Sequence, residues 1–188
     1  DTRCMPARIP ALFCLALALA PMQEAETPFA PAQWSIDDPG ARTVPYLGRP
    51  SLFLDNGIAL LKTPAFGDGT IEVDIAMHGH PSFAGIAFRA EGANDYELIY
   101  VRPHLSRQPD ALQYTPVLDT GLNWQIFNGP GFTGAVDIPK DAWFHLRLEV
   151  AGAQAKLYVK DLEKPALVMD DLKSGVQKGQ VALAVLTG

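Results

Sequence analysis

Glu72-Val73-Asp74 sets two carboxylates at positions i and i+2 of an alternating stretch. On a strand such residues share a face, with Cα atoms about 6.5–7 Å apart. Cleavage of a glycosidic bond needs two carboxyl groups flanking it, about 5–5.5 Å apart in the retaining geometry. Glu72 and Asp74 are therefore the candidate catalytic pair, with either as base. The alternative is that both are outward polar residues of a core strand, paired with a cation such as Arg89. A catalytic assignment needs a complete site, and two carboxylates at strand spacing are only part of one.

A second constellation runs from Tyr100, Arg102, Pro103 and His104 into Ser106, Gln108, Asp110, Gln113 and Tyr114. Tyr100 and Arg102 share a strand face. Pro103 ends regular pairing because it has no ladder donor. The loop that follows carries polar groups at a strand end, where binding residues gather. A sugar calls for planar hydrogen-bonding partners and an aromatic platform under its C–H face. Arg89, Tyr100, Arg102, His104, Gln113 and Trp124 are the candidate ligand contacts. Alternation puts Arg89 on the same wet face, behind Gly85 and Ala87, whose small side chains leave a shallow groove. The alternative is that Arg102 pairs with a nearby carboxylate and His104 caps a turn.

Other motifs carry less. His78-Gly79-His80 has no third ligand in view, so a zinc or copper site is not expected. Asp55, Asn56 and Asp68 lie in turns without regular calcium spacing. Asn128 to Gly134 is glycine-rich but lacks the Gly-Lys-Ser/Thr of a phosphate cradle and a following helix. No G-x-S-x-G nucleophile elbow is present. Of the three tryptophans, Trp143 opens a core strand, Trp34 closes one end, and Trp124 lies between loops as the exposed one.

The elements that must hold these residues are short alternating runs broken by turns. Phe144, Leu146, Leu148 and Val150 keep period two, with His145, Arg147 and Glu149 opposite; Ile71, Val73 and Ile75 do the same. Asn56-Gly57 between the runs 51–54 and 58–62 predicts a hairpin. Further strands are expected at 83–89, 96–102, 111–117, 124–127, 155–159, 165–169 and 180–186. About eleven strands at roughly ten-residue spacing, with no helix beyond one turn at 161–164, predict an all-β antiparallel two-sheet sandwich. One face of each strand enters the core and the other stays wet.

Ile9 to Ala20 is an apolar run behind Arg8, too short to span a bilayer of about 30 Å and right for a signal peptide. Met5 reads as the start. The expected layout is a leader over 1–25, a Pro-rich linker over 26–33 and one domain over 34–188, exported to the periplasm or medium. Both cysteines, Cys4 and Cys14, fall in the leader, which removes disulfide and thiol chemistry from the mature chain. Among 188 residues, 21 acidic against 15 basic side chains give a net charge of -6, which argues against a nucleic-acid partner. No later run reaches membrane-spanning length.

The stretches F-G-D-G-T-I-E-V-D-I from Phe66, F-A-G-I-A-F-R-A at 83–90, W-F-H-L-R-L-E-V at 143–150 and A-K-L-Y-V at 155–159 resemble the concanavalin A-like lectin/glucanase superfamily. Within it the chain is similar to laminin-G-like jelly rolls and 3-keto-disaccharide hydrolase-type domains. The resemblance covers about residues 34–186 and implies a jelly-roll sandwich. Such domains finish with one more strand after a G-x-V-A-L run, so a chain ending at Gly188 is expected to be cut short. Retaining glycosidases of the superfamily carry E-x-D-x-(x)-E; here Ala76, Met77 and His78 stand where the third carboxylate belongs. The expectation is therefore an exported carbohydrate-binding module acting on its concave face. A glycoside hydrolase or 3-keto-disaccharide hydrolase-type enzyme and a protein-interaction domain are the alternatives. No cofactor is expected, and calcium is the one metal the resemblance leaves open.

Overall fold

The computed structural model describes residues 30–79, 81–119, 121–122, 124–160 and 163–186. The leader over 1–25, both cysteines, His80 and part of the turn at 161–164 lie outside them. Fourteen strands are described: β1 (Trp34–Asp37), β2 (Arg42–Tyr46), β3 (Arg49–Phe53), β4 (Gly57–Leu61), β5 (Gly69–Ala76), β6 (Phe83–Ala90), β7 (Tyr96–Val101), β8 (Leu112–Leu118), β9 (Gly121–Leu122), β10 (Thr133–Gly134), β11 (Trp143–Ala151), β12 (Gln154–Val159), β13 (Leu167–Met169) and β14 (Gln180–Leu186). Among the described residues, helical structure is confined to single 3-10 turns at Pro31–Gln33 and Pro103–Leu105. Among the described residues no helix is long and apolar enough to cross a membrane.

Twelve of these strands form two facing sheets, and β2 and β3 pair with each other as a separate two-stranded sheet. The larger runs β1-β4-β14-β6-β7-β8-β10, with β9 on β8; the smaller runs β13-β12-β11-β5. All pairs are antiparallel. The alternation seen at 143–150 does what period two demands: Phe144, Leu146, Leu148 and Val150 are buried, and the residues between them are half-exposed. They meet Ile86, Phe88, Ile99, Val101, Leu112 and Tyr114 of the larger sheet in one core. Each fully buried aliphatic or Phe side chain there contributes about 1.5–3 kcal/mol, so this core holds the sheets together without crosslinks. The all-β antiparallel sandwich is thus the observed fold.

Three local expectations differ. Asn56-Gly57 does not join a hairpin, because β3 pairs with β2, while β4 pairs with β1 and β14. The Asp38 carboxylate accepts the backbone N–H groups of Asp55 (2.7 Å) and Asn56 (3.2 Å) and fixes a corner there instead. Gly57 is required by close approach, since a Cβ would sit 2.1 Å from the Asp37 carbonyl oxygen. Residues 124–127 form a turn, with Phe127 N–H donating to the Trp124 carbonyl at 3.2 Å. Finally, β7 is buried throughout, and β6 and β8 nearly so. A second apolar cluster, with Ile58, Leu60, Ala87, Leu98, Tyr100 and Ala184, lines the outer face of the larger sheet. That face is not simply wet.

Candidate functional site

Tyr96, Leu98 and Tyr100 alternate onto the outer face of the larger sheet. Arg102 keeps extended backbone (φ -124°, ψ 92°), so its side chain continues the row. Pro103 then starts a 3-10 turn, and the chain returns through Asp110 to β8, with Arg102 N–H donating to the Ala111 carbonyl at 2.8 Å. The β7–β8 register sets Tyr100 opposite Gln113. Gly85 faces Tyr100 from β6, and a Cβ there would lie 1.9 Å from the Ile99 carbonyl oxygen.

This register gathers a polar knot on Arg102. Its Nη1 donates to the Asp110 carbonyl (3.0 Å) and to Asp110 Oδ2 (3.1 Å). Its Nη2 donates to the Tyr100 hydroxyl (2.9 Å) and to Gln113 Oε1 (3.1 Å). Gln113 Nε2 donates in turn to the carbonyls of Tyr114 (2.8 Å) and Phe127 (2.6 Å), which ties the 124–127 turn to the site. Three rings surround the guanidinium carbon: Tyr100 at 5.1 Å, Trp124 at 5.4 Å and Phe83 at 5.7 Å. Phe83 also meets the rings of Tyr100 and His104 edge-on, at 5.7 and 5.6 Å. Arg102 is only 4% exposed, whereas Trp124 is 41% exposed. Arg102 therefore lies beneath the surface and Trp124 forms part of it.

Burial pushes the Tyr100 hydroxyl above its ordinary pKa, against the opposing effect of Arg102, and keeps it protonated. Burial and the Arg102 charge pull His104 below the usual histidine value, so its imidazole is neutral at pH 7. Two buried nitrogens of the knot, Arg102 Nε and His104 Nδ1, find no hydrogen-bond partner among the described residues. Buried polar atoms in folded proteins nearly always have partners, which sets these two apart from the satisfied nitrogens of the knot.

Five of the six expected contacts, Tyr100, Arg102, His104, Gln113 and Trp124, thus come together. Arg89 does not. Ala182 pairs with Ala87 but Gln180 pairs with Ala90, so β6 spends one extra residue there, a bulge with Arg89 at φ 51°. The bulge breaks the alternation that would have placed Arg89 beside Tyr100. Its side chain donates to the carbonyls of Gly67 (3.2 Å) and Gly152 (2.7 Å) and to Asp68 Oδ1 (3.0 Å), stitching the sheets together at one end. Sequence inspection passed over Phe83 and the backing role of Asp110. The signal for Asp110 was its place in the polar loop; that for Phe83 was its period-two spacing from Gly85.

Glu72 and Asp74 lie on the outer face of the smaller sheet, with both sheets between them and Arg102. Their cation is not Arg89. Asp74 Oδ2 accepts from Arg49 (2.7 Å), and Asp74 Oδ1 lies 2.9 Å from His145 Nδ1; Glu72 Oε1 is 3.7 Å from His145 Nε2. Burial raises the Asp74 carboxyl, but the hydrogen bonds and charges of His145 and Arg49 outweigh it and hold the group below its ordinary value. A cavity of about 390 Å³ beside it is lined by Arg49, Asp74, Trp143, His145 and Lys160 among others. Among the described residues lining this cavity Asp74 is the one carboxylate, and Glu72 is not part of the lining.

Among the described residues no three of His, Cys, Asp and Glu converge in a way that could hold a metal ion. His78 Nδ1 lies 2.6 Å from Asp141 Oδ1, and the Asp68 carboxylate takes Arg89 and the Gly152 N–H.

No family model and no curated protein matches the chain. Solved structures do. A carbohydrate-binding module, CBM66 from Bacillus subtilis, superposes with a TM-score of 0.59 at 17% identity, covering 82% of this chain and 92% of that one. A Bacillus subtilis protein of unknown function with a galectin-like fold gives 0.51 at 13% identity, covering 82% and 83%. The Crh5 transglycosylase in complex with NAG also gives 0.51 at 13% identity, covering 85% and 66%. What this chain shares with them is the β-sandwich fold.

Proposed function

We propose that this protein is a carbohydrate-binding module that takes a sugar on the outer face of its larger sheet, over Trp124, Phe83, His104 and the buried Arg102. The observation that carries the reading is the convergence of an exposed indole with a buried, aromatic-walled guanidinium whose Nε has no partner among the described residues. Sugar sites combine an aromatic platform with a few fixed polar groups, and this cluster supplies both. The fold shared with CBM66 over 92% of that module's length supports the same reading. In finer terms the chain is a laminin-G-like jelly roll of the concanavalin A-like superfamily, exported to the periplasm or medium, with no cofactor assigned to the site.

Sugar processing at Glu72 and Asp74 has one observation in its favour, the cavity beside Asp74 and His145. Against it, Asp74 is spent on Arg49 and His145, and the Arg102 cluster lies on the opposite face. The deciding experiment is a binding screen of the purified protein against polysaccharides by affinity electrophoresis and calorimetry, with Trp124→Ala beside the wild type. Trp124→Ala is expected to weaken binding at least about tenfold, the usual cost of losing a central aromatic anchor. Release of reducing sugar that Glu72→Gln abolishes, with Trp124→Ala unaffected, would overturn the reading in favour of the enzyme.

A further inference from the structure

We propose that this site selects uncharged saccharides and rejects those bearing carboxylates or sulfates. The inference rests on the carbohydrate-binding reading and concerns which class of sugar the site accepts.

A buried arginine next to an aromatic wall is usually taken as an anion receptor, because its planar fork of five N–H donors matches two carboxylate oxygens at once. Arg102 has no fork left. Both hydrogens of Nη1 go to Asp110, one to its carbonyl and one to Oδ2. Both hydrogens of Nη2 go to the Tyr100 hydroxyl and Gln113 Oε1. Neither acceptor is free to turn away: the amide of Gln113 is anchored through Nε2 to the Tyr114 and Phe127 carbonyls. The rings of Tyr100, Trp124 and Phe83 stand around the guanidinium. What remains is the single Nε–H.

One donor cannot grip a carboxylate in two places. It suits a hydroxyl or ring oxygen, which asks for one hydrogen bond and, as a hydroxyl, returns one. The second unpaired atom, His104 Nδ1, stands on the neighbouring turn, and a neutral imidazole nitrogen either accepts or donates according to its tautomer. The charge balance points the same way. Asp110 Oδ2 sits 3.1 Å from Arg102 Nη1, so the guanidinium is already neutralised, and an incoming anion would meet the Asp110 carboxylate as well. Lys140 is the other cation felt by His104; it is exposed, so salt screens it. The half-exposed Trp124 ring adds a platform that needs no charge on the ligand.

The test uses the full purified protein and two sets of probes, neutral (β-glucan, α-glucan, xylan) and acidic (polygalacturonate, alginate, chondroitin sulfate). Affinities are measured by calorimetry and affinity electrophoresis at about 20 and 500 mM NaCl, a range over which screening of exposed charge changes strongly. At least one neutral glycan is expected to bind with an affinity that moves less than about twofold between the two salts. The acidic set is expected to bind at least about tenfold more weakly. Asp110→Asn keeps the shape and the backbone carbonyl bond but frees the Arg102 charge. It is expected to raise the ratio of polygalacturonate to neutral-glycan affinity about tenfold at low salt, both affinities being measured on the same variant. An acidic glycan that binds wild type better than every neutral one, or an Asp110→Asn protein with an intact melting profile and no rise in that ratio, overturns the selectivity and leaves carbohydrate binding in place. Silence of both probe sets with wild type and variant alike removes the carbohydrate reading, and the selectivity with it.

Discussion

Replacing Arg102 with alanine removes four hydrogen bonds at once, and they are not equal in cost. The Asp110 side chain is 47% exposed, so its carboxylate returns to water and the ion pair itself contributes little. Tyr100 and Gln113 are 2% and 1% exposed, so their oxygens would be left in an apolar setting without this partner. An orphaned buried polar group costs about 1–3 kcal/mol. Loss of the buried aliphatic stem adds about 0.8 kcal/mol per CH₂ no longer packed. The expected total is about 4–8 kcal/mol, a large value for one substitution and diagnostic of a residue that organises its surroundings. With a urea m-value of about 2 kcal/mol/M, the midpoint should fall by about 2–4 M. Arg102→Lys keeps the charge but has one nitrogen and cannot serve both sides, so it should recover less than half of the loss. Pairing Arg102→Ala with Tyr100→Phe in a cycle should give a coupling of about 1–2 kcal/mol. An Arg102→Ala protein within about 1 kcal/mol of wild type, measured by urea unfolding followed by circular dichroism, would refute the view that Arg102 is a structural keystone beneath the site.

Three further outcomes are expected. Gly85→Ala should cost more than about 3 kcal/mol or abolish cooperative unfolding, because its Cβ would sit 1.9 Å from the Ile99 carbonyl oxygen; a soluble variant with wild-type midpoint would contradict the β6–β7 approach. Glu97, wholly buried, accepts from the Tyr114 hydroxyl (2.8 Å) and from the Ser174 N–H (3.0 Å) and hydroxyl (2.8 Å). Burial and the Glu97 charge push the Tyr114 hydroxyl far above its ordinary pKa, so it stays a donor; Glu97→Gln should cost about 1–3 kcal/mol in thermal or urea unfolding, and a neutral result would mean the charge is dispensable. For His104 the folded pKa lies below the unfolded one, so the unfolded chain takes up its proton first as pH falls. Stability should therefore drop as pH falls below the ordinary value of 6.5, and His104→Gln should flatten that slope between pH 7 and 5; equal slopes in the two proteins would contradict it.

Much of the framework is legible in the residues because it rests on local rules. The strict alternation of β5 and β11 survives intact, since one face of each meets the core and the other meets water. The row Tyr100–Arg102 and its partner Gln113 could be placed because strand period and Pro103 fix them locally. What escaped depends on distant partners. The Arg89 bulge is set by how β14 pairs with β6, almost a hundred positions later in the chain. The corner at Asn56-Gly57 is set by Asp38, which the dipeptide cannot reveal. The near-continuous apolar run of β7, Y-E-L-I-Y-V, did carry a signal of two-sided burial, but Glu97 within it and Arg102 directly after it masked it. Their burial is tolerated only because Tyr114, Ser174, Asp110 and Gln113 converge on them from other segments. The carboxylates of β5 read as a pair from spacing alone; that Arg49 and His145 would occupy Asp74 follows from cross-strand register and from the β2–β3 hairpin.

The tryptophans provide the most direct test of where a ligand sits, because Trp124 stands at the Arg102 cluster and Trp143 lines the cavity on the opposite sheet. Each indole N–H gives its own signal in a nitrogen–proton correlation spectrum of labelled protein, and a neutral oligosaccharide found in the screen can be titrated against all three. The Trp124 signal is expected to shift saturably with the same affinity seen by calorimetry while Trp143 stays still. A saturable shift at Trp143 with Trp124 unmoved would place binding on the Glu72–Asp74 face and contradict the site described above.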